Sequence, residues 1–259
     1  MVNIIDEIIN GYKCFNQVRA IAVGGSSSAN TSDKLSDIDT YVFIEQSIPI
    51  PEREKLVKKY SAKYEVGGEY FGSGDEYLVD KIGQQFDVMF WNTDWFEDVV
   101  ENVWDKHYPS NGYTTCFLYT LKNFDIKYDP AGWLKNLQEK LDSPYPKELQ
   151  NNIITRNMML IKDKPFASYY EQIEKAVKRA DEISVNHRIS AFMASYFDVI
   201  FAKNELLHPG EKRLVNFALN NCRILPKDFE ENIRKLFKVK NSSKLDILNI
   251  MTKNLREIL

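Results

Sequence analysis

The sequence predicts an α+β protein of two domains: a first half that mixes strands with helices, and an all-helical second half, divided at residue 128. Three observations carry this. Short, β-rich apolar runs that end at glycines lie before residue 128. After it, apolar residues recur at helical spacing between proline- and asparagine-containing breaks. Net charge changes sign at the same place. Residues 1–128 hold 20 acids against 12 bases, net −8, and residues 129–259 hold 17 against 22, net +5.

Taken in order, residues 3–15 have helical spacing through Ile4, Ile5, Ile8, Ile9 and Tyr12. Residues 18–24 (VRAIAVG) read as a strand that ends at a glycine pair, and residues 25–36 (GSSSANTSDKLS) as a small polar loop. Residues 37–44 (DIDTYVFI) read as a second strand. Pro49 and Pro51 break the chain before a solvated helix over EREKLVKKYSAKY. YEVGGEYF and QQFDVMFW read as two more strands around the glycine-containing stretch 72–83. Asp94 with Glu97 three residues on has the form of a capping box, opening a helix to about Trp104. In the second half, Asp129-Pro130 reads as N-cap and N1 of a helix over 131–142. Further helices are expected at 147–162, 166–183, 187–206, 211–222, 227–238 and 243–258.

The 259 residues are 44% hydrophobic, 13% aromatic and 27% charged, with net charge −3. That composition excludes disordered, collagenous and low-complexity classes, and the balanced charge argues against a binder of long nucleic acids. The three cysteines, Cys14, Cys116 and Cys222, are far apart and form no C-x-x-C, so they are expected to be buried free thiols of a reducing cytoplasm. The N-terminus has acids inside its apolar stretch, unlike a signal peptide. The apolar segment 189–202 is too short and too interrupted to span a bilayer and reads as a core helix.

The chemistry is carried by Val23-Gly24-Gly25-Ser26-Ser27-Ser28 followed by Ser36-Asp37-Ile38-Asp39-Thr40. A strand ending in Gly24-Gly25-Ser26 lets backbone N–H groups and serine hydroxyls meet the oxygens of a phosphate, with Ser36 a further hydroxyl before the second strand. Asp37 and Asp39 point to one face, since strand side chains alternate. No base lies between them, so they repel unless a cation sits there. Hard oxygen ligands beside a phosphate cradle suit Mg²⁺. Asp87 interrupts the apolar run Phe86-Asp87-Val88-Met89-Phe90 and needs compensation there. If its strand neighbours 37–44, three carboxylates can hold two cations about 3.5–4 Å apart, the arrangement that clamps attacking and leaving oxygens at phosphorus. Each piece alone has a plainer reading: a polar turn, a strand edge, a satisfied buried acid. Their joint spacing favours the functional one.

Gly25-Ser26, ten intervening residues, Asp37-Ile38-Asp39-Thr40 and a later strand acid, Asp87, resemble the signature of the polymerase-beta-type nucleotidyltransferase superfamily. GGSSSANTSDKLSDIDTYVF is most similar to the minimal bacterial members with a helical C-terminal domain, among them aminoglycoside and lincosamide nucleotidyltransferases and relatives of unassigned substrate. A looser resemblance to the unassigned relatives runs through Gly74-Asp75-Glu76, Tyr128 to Leu134, Asn204 and Pro209 to Arg213. The resemblance implies a small mixed sheet, the palm, flanked by helices, with a helical bundle closing one side of a cleft. It implies that Gly25 and Ser26 hold the triphosphate, that Asp37 and Asp39 hold Mg²⁺, and that Asp87 completes the metal site or acts as base. Relatives often carry a basic residue after Gly-Ser, where this chain has Ser27. A phosphate contact is therefore expected from the basic second domain, with Lys212 or Arg213 as candidates at a helix start.

The expected reaction is transfer of AMP from ATP to the hydroxyl of a small-molecule acceptor, with release of pyrophosphate. Two alternatives stand beside it: an antitoxin-like enzyme that adenylylates protein tyrosines, and a non-catalytic nucleotide-binding module. Glu76, Glu171 and Glu205 are candidate bases for the acceptor hydroxyl, each also readable as a surface or ion-paired acid. Tyr169, Tyr170, Phe192, Tyr196, Phe197 and Phe201 read as core before they read as an acceptor pocket. His107, His187 and His208 match no metal-ligand spacing. Rossmann, P-loop, zincin and hydrolase-elbow motifs are absent.

Overall fold

A computed structural model describes residues 4–24, 37–70, 72–164 and 166–259. The chain is an α+β protein whose residues group into two compact units, Met1–Glu101 with Thr120–Ser143, and Asn102–Tyr119 with Pro144–Leu259. A single cut at residue 128 does not describe this division, because each unit borrows a segment across it. Residues 129–143 stay with the sheet because Trp133 sets its ring 5.3 Å from that of Phe43 and its indole N–H donates to Glu97. Residues 102–119 belong to the helical unit, where the backbone N–H and hydroxyl of Thr114 both donate to Asp198.

The first unit is built on β1 (Val18–Val23), β2 (Ile38–Ile44), β3 (Tyr64–Gly68), β4 (Gly74–Val79), β5 (Gln84–Asn92) and β6 (Asp125–Tyr128). They form one six-stranded mixed sheet in the order β3-β4-β5-β2-β1-β6. Only the central β2–β5 pair is parallel; the other neighbours run antiparallel. Alternation along β2 and β5 divides their residues cleanly. Ile38, Val42 and Ile44 with Phe86, Val88 and Phe90 enter one buried cluster, covered by Ile8, Ile9 and Tyr12 of α1 (Ile4–Tyr12) and by Leu56 and Val57 of α2 (Ile50–Val57). Asp39, Tyr41 and Phe43 with Asp87, Met89 and Trp91 take the opposite face. At one end of that face Phe43, Trp91, Phe96 of α3 (Thr93–Val100), Phe124 and Trp133 of α5 (Trp133–Lys140) form an aromatic layer, with neighbouring ring centroids 5.1–6.5 Å apart. The other end carries the carboxylates.

The sequence reading missed two strands, β4 and β6, and the helix α4 (Cys116–Lys122). Several helix starts also move, and for two of them the cap shows why. α3 is capped by Asn92, whose side chain accepts from Trp95 N–H at 3.0 Å, two residues ahead of the expected Asp94. α5 begins at Trp133 after the left-handed Gly132 (φ 68°), while Asp129 reaches forward to accept the Lys135 N–H at 2.9 Å.

The second unit contains α6 (Lys147–Met158), α7 (Tyr169–Lys178), α8 (Glu182–Lys203), α9 (Leu214–Asn221), α10 (Phe229–Lys238) and α11 (Asn241–Arg256). α8 is buried along the whole length from Phe192 to Ala202 and is apolar there but for Ser195 and Asp198, so the other helices pack about it. Phe192, Tyr196, Phe197 and Phe201 are core, with Tyr169 and Tyr170 packed against them, as their helical spacing implied. Gly112 passes against α8 with φ 85°, and a Cβ there would lie 2.7 Å from that of Ala194. The cysteines are free, but Cys14 is exposed and the other two only partly covered, so burial was the wrong expectation for them. Among the described residues, no helix is long and apolar enough to cross a membrane.

Candidate active site

The register of the sheet sets the carboxylates side by side. Asp39 of β2 lies opposite Asp87 of β5, and Asp87 lies opposite Glu76 of β4, which lies opposite Glu65 of β3. Residues opposite one another share a face, and neighbouring strands run about 4.8 Å apart. The result is an acidic row across four adjacent strands. Asp37 sits exposed just before β2, and its charge reaches Glu76. Asp87 is held by Gln85, two residues earlier on the same face, whose side-chain N–H donates at 2.9 Å. The structure therefore brings Asp39 and Asp87 together and adds Glu76.

The electrostatics of the row show in Glu76. Its carboxyl is raised above the ordinary value, first by partial desolvation and then by the like charges of Asp87, Glu65 and Asp37. Tyr41, next along the face from Asp39, has its phenol raised by burial and by Asp39 beside it. The donor set consists of hard carboxylate oxygens, which fits Mg²⁺. Among the described residues no group of three His, Cys, Asp or Glu side chains is placed to hold a metal ion. Mg²⁺ does not need one, since it keeps several waters and shares the oxygens of a bound phosphate.

At the β1 side of the row, Gly24 gives its N–H to the Asp39 carbonyl at 2.9 Å. That donor is committed to the sheet, so the Gly24 N–H is not available to a phosphate, in contrast to the expectation for it. Gly25, Ser26 and Ser36 lie outside the described residues. Lys212 and Arg213 belong to the second unit and are exposed. They do not open a helix, because Arg213 is left-handed (φ 57°) and α9 starts only at Leu214.

The other candidate acids separate by their partners. Glu171 closes the capping box of α7 with Ser168, a structural role. Glu205 follows α8 in a left-handed turn (φ 56°). His107 lies 3.4 Å from Glu148, and His208 is fully buried, its Nδ1 accepting the Gly210 N–H at 3.1 Å. In the second unit Asp198 is 2% exposed and accepts three hydrogen bonds, from Thr114 N–H (3.1 Å), Thr114 hydroxyl (2.6 Å) and Asn157 (3.1 Å). Burial raises its carboxyl to about 6, against the pull of those donors.

A family described as a domain of unknown function (DUF4037) matches residues 114–214. No curated protein matches the chain. Among solved structures the chain is similar to a nucleotidyltransferase-like protein from Exiguobacterium sibiricum, at 9% identity and a TM-score of 0.47, covering 97% of this chain and 73% of that one. It is also similar to the Thermotoga maritima CCA-adding enzyme complexed with tRNA, at 11% identity and a TM-score of 0.26, covering 97% of this chain and 81% of that one.

Proposed function

We propose that this chain is a Mg²⁺-dependent nucleotidyltransferase that moves AMP from ATP to a hydroxyl of a small-molecule acceptor and releases pyrophosphate. The observation that carries the reading is the register that sets Asp39 opposite Asp87, with Asp37 just ahead of them, on strands that follow the Gly25-Ser26 loop in the order of the superfamily signature. A lone Asp-x-Asp is common; an Asp-x-Asp with a third acid delivered beside it by a separate strand suits two-metal chemistry at phosphorus.

In this reading Asp37, Asp39 and Asp87 hold the cations, and Gly25, Ser26 and Ser36 hold the triphosphate. Bound Mg²⁺ supplies neutralisation of the charge that develops on the phosphate oxygens and on the departing pyrophosphate. The acceptor oxygen forms a bond to the α-phosphorus as the bond from that phosphorus to the bridging oxygen breaks. Pyrophosphate leaves with the bond electrons. The hydroxyl proton passes to a carboxylate of the row, for which Glu76, opposite Asp87 on β4, is the candidate.

The test is incubation with α-labelled nucleoside triphosphates and Mg²⁺ against panels of hydroxyl-bearing small molecules, including aminoglycosides and lincosamides, and of candidate proteins. Label on a small molecule with stoichiometric pyrophosphate supports the full reading. Label on protein tyrosine keeps the transfer and replaces the acceptor. Nucleotide binding without pyrophosphate release in any pairing favours a binding module on the same scaffold.

A further inference from the structure

We propose that Tyr41 is a positioning residue: its ring fills the side-chain space of Gly24 and so fixes the end of β1 relative to Asp39 of β2. This role rests on the nucleotidyl-transfer reading.

Gly24 is not among the glycines with positive φ, so conformational freedom does not explain it. Its neighbours do. A Cβ at position 24 would lie 2.7 Å from Tyr41 Cε2, with Tyr41 Cδ2 and Phe124 Cε1 each at 3.3 Å. The Tyr41 ring cannot simply swing aside. Its centroid lies 4.7 Å from that of Trp91 and 4.8 Å from that of Phe124. Gly24 is thus held twice over. Its N–H is bonded to the Asp39 carbonyl at 2.9 Å, and the ring of Tyr41, two residues on along the same face, closes over its Cα. Both restraints originate on the strand that carries Asp39, so the start of the phosphate-holding loop and the cation-holding carboxylate share one rigid reference. Misplacement by about 1 Å in such a site costs on the order of a hundredfold in rate.

A double-mutant cycle on the full chain tests this, using Gly24→Ala, Tyr41→Val, the two together, and Tyr41→Phe as the conservative variant. The probe is ATP with Mg²⁺, read by calorimetric Kd and by KM against kcat, with Tm alongside. Gly24→Ala is expected to weaken binding at least about tenfold by displacing the ring, and the double variant to recover most of that loss because valine vacates the space. Tyr41→Val alone is expected to raise Kd several-fold with the fold retained, and Tyr41→Phe to match the parent. A Gly24→Ala protein that binds as the parent does, or a double variant no better than Gly24→Ala, overturns the proposal. If Gly24→Ala does not fold, a folded Tyr41→Val protein with the parent's Kd overturns it equally, and one with the raised Kd supports it. A parent that fails to bind ATP with Mg²⁺ overturns the functional reading and this role with it, whereas a parent that binds, with no coupling between positions 24 and 41 in the cycle, overturns the role alone.

Discussion

Two sets of acids in this molecule have opposite surroundings. Asp198, in the helical unit, is buried and accepts three hydrogen bonds from Thr114 and Asn157. Glu76, in the sheet unit, is exposed, and the charges that act on it are the carboxylates of Asp87, Glu65 and Asp37. A carboxylate surrounded by donors holds the fold together. A row of carboxylates facing one another adds repulsion to the fold and gains from a cation brought in from outside. The surroundings differ in kind: hydrogen-bond donors meet Asp198, and like charges act on Glu76.

The comparison breaks most sharply at Asp39. Asp39→Asn removes one charge from the row, and the account expects transfer to fall by about a thousandfold or more, on the order of 4 kcal/mol of transition-state stabilisation. The melting temperature is expected to stay level or rise, since repulsion is relieved. A matching fall in Tm and activity would place Asp39 in the same structural class as Asp198.

Asp198→Ala is the mirror experiment. It leaves the Thr114 N–H, the Thr114 hydroxyl and one Asn157 N–H without their acceptor in a buried site, at about 1–3 kcal/mol for each group that finds no substitute. Denaturant unfolding is expected to show a loss of several kcal/mol. A stability near the parent's would mean that the three donors are satisfied elsewhere.

A pH series sharpens the structural side. Burial raises Asp198 to about 6 and lowers His208 to about 4. The Asp198 contribution is present below its unfolded value near 4 and is lost as pH rises through about 6. The His208 contribution is present above its unfolded value near 6.5 and is lost as pH falls towards about 4. The two oppose each other across this window, each worth at most about 3 kcal/mol. Relative to the parent, Asp198→Asn should make stability climb more steeply from pH 4 to 6, and His208→Gln should make it fall. Equal pH profiles in all three proteins would contradict the assigned shifts.

Glu76→Gln should have the smallest effect on the fold: a rise in stability below about 1 kcal/mol, from lost repulsion at an exposed site. In activity assays it should lower kcat with little change in the Kd for ATP with Mg²⁺. An increase in that Kd equal to the loss in kcat would make Glu76 a cation-holding residue instead.

Much of this was legible in the sequence, for local reasons. The strands around Ile21, Val42 and Val88 alternate or run apolar, and the helical second half is punctuated by proline and glycine. Asp37 and Asp39 stood out as a same-face pair with no base between them, and Asp87 because an acid in an apolar strand needs a reason. β4 did not stand out because its inward positions are Asp75, Tyr77 and Val79. An inward aspartate hides the alternation, and what makes it tolerable is remote: Arg53 of α2 at 3.0 Å and the Gly67 N–H at 2.9 Å. With β4 unseen, Glu76 had no strand to place it beside Asp87. β6 has four residues at the sheet edge and leaves too short a pattern to read. The packing of Gly24 was not legible for a related reason: the ring that closes over it comes from another strand.

The central claim is that the acidic row exists to hold a cation and a nucleotide. The most direct test is calorimetric titration of the parent, Asp39→Asn and Asp87→Asn proteins with ATP, with and without Mg²⁺. The account expects Mg²⁺-dependent binding by the parent that falls at least about tenfold in both variants while their melting temperatures hold. Binding by the parent that ignores Mg²⁺, or variants that bind as the parent does, would contradict it.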